Sequence, residues 1–342
     1  MPGITQFSGS DPLQLANALL AQNSGIQIVS NSVTLNASAA AAVGTYDGSL
    51  SPLGIGEGIL LTTGTMPGTT NTDTGFGQSN NAAGNALIDQ VINPVFSTAS
   101  YDATTLSFSF NVTDPNATSV SFNIVFGSDE YPEWVDAFVD AGIVFVNGVN
   151  YALFNHDPMH PLSVVSQNLQ AGYFQDNTGG SLPIEYDGVS KVLTIVAPII
   201  AGGVNTITIG VADCGDHILD SGLFLSGLTA GTMPGSGVVI GKSDNSTSGS
   251  DTATGSELSE LFAMQDGDDL VFAGGGDDIV SGESGNDSLF GGSGDDALNG
   301  GAGDDDLDGG AGDDQAEYAG ASTDYAIGYN AAAGQYSIAG TG

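Results

Sequence analysis

From Met264 to Glu317 the chain repeats itself every nine residues, six times without a gap. The fourth position of each repeat is glycine: Gly267, Gly276, Gly285, Gly294, Gly303 and Gly312. The sixth is aspartate: Asp269, Asp278, Asp287, Asp296, Asp305 and Asp314. The eighth is aliphatic, running Val271, Val280, Leu289, Leu298, Leu307 and ending in Ala316. Each unit reads as a six-residue loop followed by a short strand with one inward side chain. One such side chain cannot make a core, so the units must stack into a parallel β-roll with a dry seam from Val271 to Leu307. A disordered acidic tail would not keep an aliphatic residue at every ninth position. Ala316, flanked by Gln315 and Glu317, reads as a terminal cap.

The loops carry the chemistry. Glycine permits left-handed backbone geometry that turns carbonyl oxygens toward one point. Aspartate adds hard anionic oxygens, and calcium takes about six to eight oxygen ligands. Successive strands lie on opposite sides of a roll, so each loop should stack on the loop two repeats away. One ion is then expected between the loops of Asp269 and Asp287, the next between those of Asp278 and Asp296. The candidate calcium residues are therefore the six fourth-position glycines and the six sixth-position aspartates.

The charge balance agrees. Forty acids stand against two lysines, Lys191 and Lys242, with no arginine, a formal net charge of −38. That excludes phosphate-backbone binding and contact with anionic lipid head groups, so no nucleic-acid partner is expected. Sixteen of the forty acids lie between Asp266 and Glu317, where cations would relieve their mutual repulsion. The lone cysteine, Cys214, cannot form an intramolecular disulfide and reads as a small buried residue. No stretch reaches the ~20 apolar residues of a transmembrane helix. The first fifteen residues have neither the basic nor the apolar region of a signal peptide, so export is expected to use another address.

Upstream of the repeats the pattern is mostly period two. Leu106, Phe108, Phe110 and Val112 alternate with polar residues, as do Val120, Phe122, Ile124 and Phe126, around the turn "TDPNAT". Further strands are expected at "GILLTT", "GIVFVNG", "KVLTIVAP", "NTITIGVAD" and "SGLFLSGL". Short helices are expected near 11–22, capped by Asp11, and at "NALIDQVI". The fold class is all-β: an N-terminal β-sandwich or jelly roll followed by the parallel roll. The expected divisions are a sandwich domain over 1–229, a Gly/Ser/Thr/Asp-rich linker over 230–262 with one short strand at Val238–Ile240, the roll over 263–317, and a β-rich tail over 318–342 with a small hairpin.

A second calcium site is a candidate. Asp213, Asp216 and Asp220 crowd one loop, and Asp129 and Glu130 follow another strand. If both loops lie at one end of the sandwich they could share an ion; solvated loop acids and turn caps are the other reading. Catalysis is not expected. The HExxH zinc signature is absent, and His156 and His160 in "HDPMH" enclose a proline and no glutamate. No GxSxG elbow occurs, and Trp134 is alone where a glycosidase groove would use several aromatic platforms.

The repeat block resembles the RTX repeats of type I secreted bacterial proteins. That resemblance implies calcium binding, an uncleaved C-terminal export signal, and a tail that begins the β-rich segment following such repeats. Residues from about 11 to 228 resemble the choice-of-anchor L domain of exported bacterial proteins. The matching pieces include "GEGILLTTG", "VSFNIVFGSDEYPEWV" and "ITIGVADCGDHILDSGLFL". The family's usual Asn-Asp and aromatic block after EYPE is altered here to "VDAFVDAGIVFV". No catalytic activity carries over from that family. The expected protein is extracellular or bacterial cell-surface, calcium-binding and non-catalytic, its roll folding after export. Self-association into a fibre or layer is one expected partner mode; adhesion to a glycan or partner surface is the alternative.

Overall fold

The computed structural model describes residues 3–71, 76–77, 79–154, 157–170, 172–231, 237–242, 249–255, 259–317, 325–330 and 335–340. The N-terminal strands are β1 (Ile4–Gln6), β2 (Ile26–Ile28), β3 (Thr34–Asn36), β4 (Val43–Tyr46), β5 (Gly58–Thr62), β6 (Ser100–Val112) and β7 (Ser119–Ser128). They continue as β8 (Ala141–Val146), β9 (Val149–Asn150), β10 (Phe174–Asp176), β11 (Gly188–Ser190), β12 (Leu193–Pro198), β13 (Asn205–Cys214) and β14 (Ser221–Gly231). One antiparallel sheet runs β1-β4-β5-β14-β7-β12, with β11 and β10 attached beside β7. The other runs β2-β6-β13-β8-β9, with β3 also on β6.

The period-two pattern explains the layering. On β6, Leu106, Phe108 and Phe110 point inward, and Phe108 lies opposite Ile207 of β13. On β7, Val120, Phe122, Ile124 and Phe126 face them from the other sheet, with Phe122 opposite Ile195 of β12. Each of these buried side chains contributes about 1.5–3 kcal/mol by leaving water. Helix α1 (Leu13–Ala18) adds Leu15 and Ala16 to the same core. Helix α2 (Ala86–Phe96) is capped by Asn85, whose side chain accepts from the Leu87 N–H at 2.9 Å. Its Ile88 and Ile92 cover the outer face of the second sheet, against Ala141, Ile143, Ala212 and Cys214. Cys214 is indeed buried.

The roll's strands are β15 (Gly237–Lys242), β16 (Thr252–Thr254), β17 (Glu260–Ala263), β18 (Leu270–Gly275), β19 (Ile279–Ser281), β20 (Ser288–Ser293), β21 (Ala297–Asn299), β22 (Asp306–Ala311) and β23 (Gln315–Glu317). From β16 to β23 all pairs are parallel and eighteen residues out of step: Val271 lies beside Leu289, and Val280 beside Leu298. Two walls result, β16-β18-β20-β22 and β17-β19-β21-β23. Between them lie Phe262, Val271, Val280, Leu289 and Leu298, with Met264 and Ala273.

The stretch expected to be a linker is corrected. It holds two further rungs, because Ala253 pairs with Val271 and Leu261 with Ile279. Ala253 and Phe262 extend the eighth-position seam backward at the same nine-residue spacing; the first of these rungs keeps the fourth-position glycine as Gly249, whereas the second has Leu258 there. The short strand expected at Val238–Ile240 is longer and has a larger role. It pairs antiparallel with β12 of the sandwich and parallel with β17 of the roll. One sheet therefore runs unbroken from the sandwich into one wall of the roll. In the tail, β24 (Tyr325–Asn330) and β25 (Gln335–Gly340) pair as an antiparallel hairpin.

Candidate metal centre

In the roll, backbone geometry and carboxylates are organised by the same eighteen-residue register. Every fourth-position glycine has positive φ, for example +137° at Gly285, and a Cβ there would lie 1.8 Å from the carbonyl oxygen of Gly267. Only glycine admits the neighbouring rung so closely. The second position is also left-handed, at Gly292 and Gly301 but also at Gln265 and Glu283.

Each sixth-position aspartate reaches back one rung. Asp287 Oδ1 accepts from the Asp269 N–H at 2.8 Å, and Asp296 Oδ1 from the Asp278 N–H at 2.8 Å. Asp305 and Asp314 do the same for Asp287 and Asp296, each at 3.0 Å. The second oxygen has another fate. Oδ2 of Asp269, Asp278, Asp287 and Asp296 is buried and accepts no hydrogen bond. From the third repeat on, it faces the space left by the first-position glycine. A Cβ on Gly282 would meet Asp287 Oδ2 at 2.1 Å and the Gly300 carbonyl oxygen at 2.7 Å. At Gly291 the corresponding partners are Asp296 Oδ2 at 2.3 Å and the Gly309 carbonyl at 2.6 Å.

An unpartnered buried carboxylate oxygen costs several kcal/mol unless something pairs with it. Burial first, with neighbouring acids adding to it and against the lowering effect of the backbone N–H bonds, pushes Asp278 up to about 8 and Asp296 up to about 6. Asp287 is raised as well, mainly by burial. A hard divalent cation relieves both problems, and the donors here are carboxylate and carbonyl oxygens, the set calcium takes. Among the described residues no three His, Cys, Asp or Glu side chains are gathered tightly enough to hold an ion by themselves. In the roll the backbone carbonyls must therefore supply ligands. The residues fit the ion.

A second group of acids meets at one end of the sandwich. There the end of β7 lies beside the start of β14: Ser128 is opposite Ser221, and the Asp129 N–H donates to the Asp220 carbonyl at 3.3 Å. On the facing sheet, Ala212 of β13 lies opposite Ala141 of β8, which brings Asp213 near Asp140. A register shift between Val211 and Asp213 marks a bulge in β13 here. Asp140 joins the sheets, its Oδ2 accepting from Ser221 Oγ at 2.5 Å and Ser128 Oγ at 3.3 Å. Asp220 Oδ2 accepts from the Thr65 N–H at 2.9 Å, and Asp129 Oδ1 from the Asp187 N–H at 2.9 Å. Asp129, Glu130, Asp140, Asp213 and Asp220 are each 1% exposed, and Asp216 is half-buried beside them.

The choice-of-anchor L domain matches residues 4–229. The chain belongs to that family. The calcium-binding RTX nonapeptide repeat matches residues 265–289 and 281–316. No curated protein and no solved structure matches the chain significantly.

Within the choice-of-anchor L domain, the structure brings together the five acids expected at a second site and adds one that was missed. Asp140 lies in "VDAGIVFV", where nothing distinguishes it from a strand-flanking acid until the two sheets are superposed. In the roll, Asp251 and Glu260 were missed. They occupy the sixth position of the two early rungs, and their N–H groups donate to Asp269 Oδ1 at 2.8 Å and Asp278 Oδ1 at 2.7 Å. The signal was present as an acid two residues before an apolar residue, at 251/253 and 260/262. Of the histidines, His156 lies outside the described residues, while His160 Nδ1 is 3.4 Å from Asp157. His217 Nδ1 lies 3.2 Å from Asp102 Oδ2, at the edge of the acid group.

Proposed function

We propose that this choice-of-anchor L protein is a non-catalytic component of the cell surface or extracellular matrix whose roll orders on binding calcium after export. The RTX repeats make it a calcium-binding, secreted or surface protein. None of the described helices is long and apolar enough to cross a membrane. The observation that carries the switch is the divided role of the sixth-position carboxylates. One oxygen ties adjacent rungs through a backbone N–H, while the other is buried without a partner beside a carbonyl of the next rung. Without a cation those oxygens oppose folding; with one, the same oxygens hold the rungs together. Ligands would come from Asp287 and Asp296 with the Gly300 and Gly309 carbonyls, and from Asp269, Asp278, Asp305 and Asp314 in their own loops. Low calcium inside the cell would keep the roll open for export.

The test is circular dichroism of the purified full chain in chelator, in millimolar magnesium and in millimolar calcium. A gain of β signal in calcium alone is expected. Equal spectra in all three would end the proposal. Negative-stain microscopy of the same samples separates a layer or fibre from dispersed particles. Adhesion is the second reading, favoured by Trp134, which is 47% exposed on a turn beside the acid group. Dispersed particles that bind a glycan array only in calcium would select it.

A further inference from the structure

The acid group at the end of the sandwich is a cation problem separate from the roll. Six carboxylates from four segments meet there: Asp129 and Glu130 after β7, Asp140 before β8, Asp213 and Asp216 at the end of β13, and Asp220 before β14. Neither lysine of the chain lies in any of these segments. Most of the acids have structural hydrogen bonds that would explain a buried polar side chain. Glu130 does not. It is 1% exposed, and neither Oε1 nor Oε2 accepts a hydrogen bond. Its electrostatic neighbours are Asp140, Asp216 and Asp129, all of its own sign. Asp140 Oδ1 and Asp213 Oδ1 are likewise buried without partners. A glutamate placed for packing alone would be costly, since an apolar residue of that size would fill the same space without four unpaired oxygen lone pairs.

We infer that Glu130, Asp140 and Asp216, with Asp213 behind them, form a second divalent-cation site that clamps the two sheets of the sandwich together at one end. The donors are carboxylate oxygens only, which selects a hard ion such as calcium over zinc or copper. No three of these carboxylates are gathered to binding distance as they stand, so side chains must turn on binding. Glu130 can make that turn without giving up any hydrogen bond. Asp140 can offer Oδ1 while its Oδ2 keeps Ser221 and Ser128. Asp216 sits half-exposed on the following turn, where an ion could enter. The ion would neutralise acids from both sheets, so it acts as a tie beside the bonds that Asp140 makes to Ser221 and Ser128.

The chain supplies its own reporter. Trp134 is the sole tryptophan, and its backbone N–H donates to the Glu130 carbonyl at 2.9 Å, one turn from the site. Terbium added to the full-length protein and excited through tryptophan alone should luminesce, and calcium should displace it. Glu130→Gln and Asp216→Asn should each weaken that signal roughly tenfold or more, the scale on which ligand charge tunes calcium affinity. The roll variant Asp287→Asn should leave it unchanged, so failure here is distinguishable from failure of the roll. A second measurement guards against a folding defect. In chelator, Glu130→Gln should melt no lower than the parent, because the carboxyl it replaces has no hydrogen-bond partner to lose; in calcium it should lose the stabilisation the parent gains. Absent tryptophan-excited luminescence, luminescence unaffected by Glu130→Gln, or a lower melting point of that variant in chelator would each overturn the site. The last would mean that Glu130 serves as a neutral hydrogen-bond donor.

Discussion

Replacing Asp287 separates the two tasks its carboxylate performs in the roll. Alanine removes both. The Asp269 N–H loses its acceptor at 2.8 Å in a buried position, and the cradle between Gly282 and the Gly300 carbonyl loses its anion. Leaving a buried donor unpaired costs about 1–3 kcal/mol. If one ion limits folding, that alone raises the calcium midpoint by roughly five- to a hundredfold, at about 1.4 kcal/mol per decade. Asparagine keeps an oxygen for the Asp269 N–H and removes only the charge. Because burial raises Asp287, the neutral side chain suits the calcium-free roll as well as the parent does. Asp287→Asn should therefore be silent in chelator yet still shift the calcium midpoint. Asp314 is the contrast. It is exposed, and its one described rung contact is the 3.0 Å bond from the Asp296 N–H, so Asp314→Ala should cost about 1 kcal/mol or less and shift the midpoint several-fold at most. The assay is a calcium titration of the full-length variants at constant ionic strength, following the calcium-minus-chelator circular dichroism. A midpoint for Asp314→Ala as high as for Asp287→Ala would refute the division of labour. So would Asp287→Asn that is already disordered in chelator relative to the parent.

Gly285→Ala places a Cβ 1.8 Å from the Gly267 carbonyl at φ +137°, and should abolish calcium-induced ordering; a normal titration would show that the rungs are farther apart. Phe262→Ala, at an early-rung side chain that is 1% exposed, should cost about 3–5 kcal/mol of roll stability, measured by calcium-dependent melting, whereas no effect would place the start of the roll at Met264. In chelator, burial holds Asp278 up to about 8 and Asp296 up to about 6, so the folded roll binds more protons than the open chain. Its stability then rises as pH falls below about 8, and mild acid should recover part of the calcium-induced signal; loss of signal on acidification would contradict the sign. Ile279 packs with Val196 of the sandwich, and Ile279→Ser should leave calcium binding intact but reduce by several degrees the melting increment that calcium gives the sandwich. An unchanged increment would mean that the two parts melt independently.

What could be seen in the sequence depended on periodicity. The roll's ligands recur at a fixed interval, so one rung identifies the rest, and the eighteen-residue pairing follows from strands alternating between two walls. The sandwich strands were visible for the same reason, at period two. The start of the roll was hidden because Ala253 and Phe262 keep the seam while Gly, Ser and Thr around them have the composition of a linker. A linker and a degenerate rung differ in register, not in composition. The acid group at the sandwich end is a different case again. Its members come from separate segments, and only the facing of two sheets makes neighbours of Asp140 and Glu130. Two of the loops could be guessed from local crowding of acids; Asp140, alone before a strand, could not.

The continuity of the sheet through β15 changes what calcium can do. An exposed edge of β12 would be a template for pairing with another chain, and in the folded protein β15 and then the roll occupy that edge. The contact is not only backbone. Val196 on β12 packs with Ile279 and Ala297 from the seventh position of two roll repeats, and Tyr173 of the sandwich bonds Ser259 of an early rung. Ordering the roll therefore buries sandwich surface as well as its own seam. A roll held open by charge repulsion, as proposed, would leave that surface and the partner edge uncovered, and calcium would cover both in one step. On the proposed reading, whether the chain assembles or stays dispersed would depend on which forms first, the intramolecular wall of the roll or a strand borrowed from a neighbour. The stacked Phe272 and Phe290, with ring centroids 5.1 Å apart on the outside of the other wall, add an apolar stripe that survives in the folded state, Phe272 being 45% exposed. If the protein assembles as proposed, edge pairing would belong to the calcium-poor chain and face contact through this stripe to the calcium-loaded one, so the two routes would respond to calcium in opposite directions.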